Sequence, residues 1–141
     1  QVICPITDAF VGHHGALGGF VRVYLEQDQD RLEVASAIES LEGVERVWIK
    51  EEAAKDLELP LDREGDLAVV ADKRFVIGGR ETDHDWSALK GKRLRTHGSL
   101  HEAKVPFILS EPLKESYQKR ADERTLRSRE IFEYALNGIE N

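Results

Sequence analysis

Phe20-Val21-Arg22-Val23-Tyr24-Leu25-Glu26-Gln27-Asp28-Gln29-Asp30-Arg31-Leu32-Glu33-Val34-Ala35-Ser36-Ala37-Ile38-Glu39-Ser40-Leu41-Glu42-Gly43-Val44-Glu45-Arg46-Val47-Trp48-Ile49-Lys50 changes its apolar period twice. Residues 20–25 alternate as a strand does. An acidic turn over 26–30 follows, where Asp28 or Asp30 can accept from the first free helical N–H groups. Leu32, Ala35, Ile38 and Leu41 then recur at helical spacing, and Gly43 supplies the stop. Residues 44–50 read as a second strand, so the stretch is a βαβ unit of about 30 residues. Trp48 reads as packing rather than as a stacking surface for a ligand.

Downstream, residues 51–57 form a short helix with Ala53, Ala54 and Leu57 inward, ended by Pro60. A charged turn over 62–66 leads to residues 67–71 and 74–77, which the pattern pairs as a hairpin across Asp72-Lys73. Upstream, residues 2–9 read as a strand that Pro5 confines to an edge or bulge. The sum is an α+β fold: a small ferredoxin-like, mostly antiparallel sheet with helices on one face. Its expected core is Val23, Leu25, Leu32, Ile38, Leu41, Val47, Ile49, Val69 and Ile77. Beyond Pro112 the chain turns helical, with Leu126, Phe132, Ala135, Leu136 and Ile139 along one stripe and Asp122 or Thr125 as cap. Lys119, Arg120, Arg124, Arg127 and Arg129 alternate with Asp122, Glu123, Glu130 and Glu133, the signature of a solvated face.

Three histidine-bearing stretches carry the candidate chemistry. Leu94-Arg95-Thr96-His97-Gly98-Ser99-Leu100-His101-Glu102-Ala103-Lys104-Val105-Pro106-Phe107-Ile108-Leu109 sets an imidazole, the commonest neutral metal ligand, just before an apolar run that reads as a buried strand. Gly98 allows a close backbone approach or a positive φ. One histidine cannot hold a catalytic zinc, which takes three or more protein ligands. The glycine-rich loop over 10–19 holds His13 and His14; on an extended segment, only one of two neighbours faces a ligand. It lacks the spacing and the Lys-Ser/Thr ending of a phosphate-binding loop. Asp83-His84-Asp85 invites a metal reading too, against a solvated loop in which Asp85 caps a turn.

The 141 residues suit one hydrophobic core, and a net charge of −7 argues against a nucleic-acid partner. The single Cys4 cannot form an internal disulfide; it fits a reducing cytoplasm and excludes a cysteine-rich zinc module. No apolar run approaches the roughly 20 residues that cross a bilayer, and no signal peptide is visible. With no methionine and a start inside an apolar stretch, the sequence reads as a fragment.

Ile3-Cys4-Pro5-Ile6-Thr7-Asp8, His13-His14-Gly15-Ala16-Leu17-Gly18, His84-Asp85-Trp86-Ser87-Ala88-Leu89, Leu94-Arg95-Thr96-His97-Gly98, Glu102 and Val105-Pro106-Phe107-Ile108 follow one another in this order. Together they resemble the C-terminal part of the phosphonoacetate hydrolases, of the alkaline phosphatase superfamily. The resemblance implies a binuclear zinc enzyme that cleaves a carbon–phosphorus bond to give acetate and phosphate. It further implies peripheral pieces of an alkaline-phosphatase-like α/β core around the sheet. The threonine nucleophile, the aspartate ligands and the Asp-His-Gly motif lie upstream in that family. This segment then holds no catalytic residue, His97 as its one metal ligand, and His13 and His14 as candidate substrate-binding residues. The fragment alone is expected to be inactive without the N-terminal catalytic portion, and to lose both zinc ions of the intact enzyme. The family reads Ser-His-Gly-Gly where this chain has Thr96-His97-Gly98-Ser99, so Ser99 restricts a backbone position that glycine leaves free. The implied organisation is a core-derived strand and loop over 1–19, a cap-like domain over 20–79, a return to the core over 80–112, and a C-terminal helix over 113–141. The other readings are a free-standing ferredoxin-like binding or dimerisation module, or part of a related phosphodiesterase or phosphatase.

Overall fold

The computed structural model describes residues 2–3, 17–79 and 97–140. The chain divides into two compact units, Gln1–Ala103 and Lys104–Asn141. In the first, β1 (Val2–Ile3), β2 (Phe20–Val23), β3 (Val44–Ile49) and β4 (Leu67–Ala71) form one sheet in the order β1-β2-β4-β3. Every neighbouring pair is antiparallel. β2 and β3 are therefore parallel to each other with β4 between them. The βαβ unit is real, and a later strand splits it, as in ferredoxin-like folds.

Sequence accounts for the central place of β4. Leu67-Ala68-Val69-Val70-Ala71 is apolar at every position, and all five residues are buried. A continuous apolar run needs cover on both faces, which only an interior strand receives. The expected hairpin with residues 74–77 does not form, because β2 and β3 already occupy both edges of β4. Instead the chain turns at Asp72, whose carbonyl accepts from Phe75 N–H (2.9 Å), and Ile77 bridges Gly18.

Helix α1 (Arg31–Glu39) starts where the capping logic puts it: the Asp30 carboxylate accepts from the N–H groups of Leu32 (2.8 Å) and Glu33 (3.3 Å). Val34, Ala35 and Ile38 of α1 pack against Val21, Val23, Leu67 and Val69. Leu32 and Leu41, expected in this core, are 67% and 59% exposed. The stripe that reaches the sheet is offset, with Val34 and Ala35 rather than Leu32 at its centre. Past the helix, Gly43 takes φ +87°, and a Cβ there would lie 2.4 Å from the Phe75 ring.

Alternation along β4 puts Ala68 and Val70 on the opposite face, with Trp48, and there the short helix α2 (Lys50–Asp56) packs its Ala53. The expected one-sided helix layer is thus α1 alone, with α2 behind the sheet. Trp48 is buried packing, as its sequence context suggests; its Nε1–H donates to Asp56 (3.1 Å), and the Arg46 guanidinium lies 4.5 Å from its ring centre. A half-buried Arg22 paired with the buried Glu64 ties β2 to the turn after Leu61–Arg63, through two bonds of 2.9 and 2.8 Å.

The second unit departs further from expectation. Residues 105–109 form no strand; Val105 and Ile108 are 60% and 79% exposed. A strand needs a paired neighbour, and among the described residues of this unit none is offered. The C-terminal helix is broken into α3 (Glu115–Glu123), a 3-10 turn over Ser128–Glu130, α4 (Ile131–Glu133) and a wide π-type turn over Tyr134–Gly138. Arg124 is extended at φ −156°, ψ 159°, which ends α3. Tyr134, not the Phe132/Leu136 pair, is the buried anchor, set edge-on between Phe107 and Tyr117. Among the described residues no helix is long and apolar enough to cross a membrane.

Candidate functional site

His97 is half-buried and lines a cavity of about 380 Å³. Phe20, Leu57, Leu59, Leu100 and Ala103 give the cavity its apolar wall, and Arg22 is its only cation among the lining residues. Arg22 spends its Nε and one terminal nitrogen on Glu64, so it is committed to a carboxylate within the fold. That partner also raises the Arg22 pKa and keeps the guanidinium charged. An anion in this cavity would compete with Glu64 for its only cation.

The turn that presents His97 is built from close backbone contacts. Gly19 N–H donates to the His97 carbonyl at 2.7 Å. A Cβ on Gly19 would meet the Ser99 Cβ, N and Cα at 2.7, 2.8 and 3.0 Å, so the two chains touch only because position 19 has no side chain. A Cβ on Gly18 would lie 3.9 Å from His97 Nε2, so the imidazole stands against Gly18. Gly98 adopts φ +90°, the left-handed conformation that its residue type permits.

Ser99 is at φ −79°, ψ 166°, which any residue adopts, so serine in place of the family's glycine introduces no backbone strain here. Its hydroxyl accepts from His101 N–H (3.2 Å), and Glu102 reaches back to Ser99 N–H (2.7 Å), closing a capping box on the 3-10 turn Leu100–Glu102. Sequence reasoning treated Ser99 only as a departure. The Ser-x-x-Glu spacing was the signal that could have shown its role. No local signal pointed to the bond between His101 Nε2 and Glu45 Oε2 (2.8 Å), which joins residues 56 positions apart.

The other sequence-derived candidates, His13, His14 and the Asp83-His84-Asp85 motif, lie outside the described residues. Among the described residues no group of three or more His, Cys, Asp or Glu side chains is placed to hold a metal ion. His97 is thus not part of such a group among the described residues. What these residues do chemically is present one imidazole from a hydrogen-bonded turn, beside a largely apolar hollow.

No family model matches the sequence. Among solved structures, the chain is similar to phosphonoacetate hydrolase from Sinorhizobium meliloti 1021 in complex with phosphonoformate, at 39% identity and a TM-score of 0.73. It is likewise similar to that enzyme in complex with phosphonoacetate, at 36% identity and a TM-score of 0.69. Both matches cover 98% of this chain and 32% of the other. The resemblance read from the motifs therefore holds over nearly the whole chain, which spans about a third of the length of the enzyme that it matches.

Proposed function

We propose that this chain is the C-terminal part of a phosphonoacetate hydrolase of the alkaline phosphatase superfamily, acting in the cytoplasm on a small phosphonate. The observation that carries the reading is 36–39% identity with solved phosphonoacetate hydrolase chains across 98% of the sequence. In this reading residues 20–79 are a cap-like domain. Residues 1–19 and 80–112 belong to the core, followed by a helical segment over 113–141. The net reaction adds water across the carbon–phosphorus bond, giving acetate and phosphate. Zinc, when bound, would supply positive charge to the phosphoryl oxygens.

His97 is the contribution of this chain to that centre. Its carbonyl is held by Gly19 and its ring stands against Gly18, so its side chain has little room to wander. The other ligands, and the threonine nucleophile, would come from the rest of the protein. His13 and His14 remain candidates for contact with the substrate.

Replacing His97 by alanine in the intact enzyme tests the assignment. The fold should persist, because only a loop position changes. One of two metal ions should be lost, and turnover should fall by orders of magnitude, since a missing ion removes several kcal/mol of charge stabilisation. Excess zinc should restore part of the rate. Metal analysis beside thermal melting decides: a full metal complement with a lower melting temperature would make His97 a structural histidine and end the ligand reading.

A further inference from the structure

We infer that Glu45 and His101 are positioning residues, a clamp that fixes the His97 turn against the edge of the sheet. Two independent observations support this. The first is the 2.8 Å bond between His101 Nε2 and Glu45 Oε2, which links the Leu100–Glu102 turn to β3. The second is the irregular register of β3. Val44 pairs with Ala71 and Arg46 with Val70, so Glu45 is an extra residue in a β-bulge. A bulge breaks the strict alternation of side chains and re-aims the extra residue. Here the re-aimed side chain is the carboxylate that meets His101.

Among the described residues, few other hydrogen bonds fasten the segment to the sheet. The Ser99–Glu102 box is internal to the turn and holds its shape, not its place. The Gly19–His97 bond and the contact of Gly19 with Ser99 anchor one end. The clamp anchors the other, from His101 within the capped turn. With both ends held, His97 is fixed between a short hydrogen bond and a capped turn. Without the clamp, the turn pivots about Gly98, the residue with the freest backbone. The bond needs a proton on Nε2, which both the imidazolium and the neutral Nε2-protonated tautomer supply to the carboxylate.

The importance of the clamp for catalysis rests on the proposed role of His97, whereas the positioning itself does not. Hydrogen exchange of the Gly19 amide, followed by NMR in the 141-residue chain, therefore reads the clamp without metal or substrate. Glu45→Ala and His101→Ala should each speed Gly19 exchange about fivefold, the scale of one partly exposed pair. The amides of β4 should be unchanged, and the double variant should exchange no faster than either single one. His101→Gln, which keeps a donor near the Nε2 position, should restore most of the protection. Unchanged Gly19 protection in both alanine variants would overturn the proposal. So would acceleration shared equally with β4, which would mean a general loss of stability. A failed His97 metal analysis beside a positive exchange result would remove the metal role and leave the clamp.

Discussion

Tyr134 is wholly buried, yet its hydroxyl has no hydrogen-bond partner among the described residues. Its ring is well used: the centre lies 5.5 Å from that of Phe107 and 5.2 Å from that of Tyr117, both edge-on. Such aromatic pairs add about 0.5–1.5 kcal/mol each beyond the area that they bury. A buried hydroxyl without a partner works against this by roughly 1–3 kcal/mol. The ring is then the stabilising part and the oxygen the destabilising part. Tyr134→Phe should leave the unfolding midpoint unchanged or raise it, whereas Tyr134→Ala should cost about 3–5 kcal/mol, as large-to-small changes at buried aromatics do. Urea titration followed by aromatic fluorescence separates the two. A drop of more than about 1 kcal/mol in the phenylalanine variant would mean that the hydroxyl is bonded in solution.

At the scale of elements, what could be read from sequence was what short-range physics decides. Asp30 caps α1 because a carboxylate beside free N–H groups needs no distant partner. Gly43 and Gly98 take positive φ because a missing Cβ is a local property. Two of the misreadings concern pairing at long range. Residues 74–77 looked like half of a hairpin, but β4 already had two neighbours. Residues 105–109 looked like a buried strand, and a strand does not form without a sheet to join. The site follows the same division: Gly98 and His97 stood out, while Glu45 became meaningful only once the bulge brought it to His101. The break after α3 is a local case instead, in which Arg124 leaves the helix and its guanidinium pairs with Glu130 six residues on. Arg124 first, and then the Arg127 N–H, lower the Glu130 pKa from an ordinary 4.5 to about 2. A carboxylate whose pKa is depressed by folding contributes stability that is complete above its unfolded pKa. That stability is lost as pH falls towards the folded value. The turns over residues 128–138 should therefore loosen between about pH 4.5 and pH 2, and Glu130→Gln should abolish that transition. Because the pair is at the surface, the effect should be modest and weakened by salt. Backbone chemical shifts of residues 128–138 across a pH series provide the measurement. The same acid transition in wild type and Glu130→Gln would show that Arg124 and Glu130 do not hold this turn.

For the molecule as a whole, the deciding fact is how few donors the described residues gather. A zinc site needs three or four protein ligands, and among the described residues His97 has no second and third donor placed around it. The apolar cavity beside it offers one arginine, already engaged by Glu64. Neither half of a binuclear hydrolase centre is complete within such a set, however well the turn is built. The 141 residues as an isolated polypeptide are thus expected to release no phosphate from phosphonoacetate above the buffer rate. They are also expected to retain less than one zinc per chain after dialysis against free metal and gel filtration. The five histidines of the sequence allow weak surface uptake, so stoichiometry and not mere binding is the quantity to measure. Adding the remainder of the enzyme as a separate polypeptide should restore zinc uptake and phosphate release together. If His97 is a ligand as proposed, it should do so only when His97 is present. Sustained phosphate release by the isolated 141 residues, with zinc bound at one or two equivalents, would mean that the donors are gathered within this chain. The assignment of the centre to the rest of the protein would then fall.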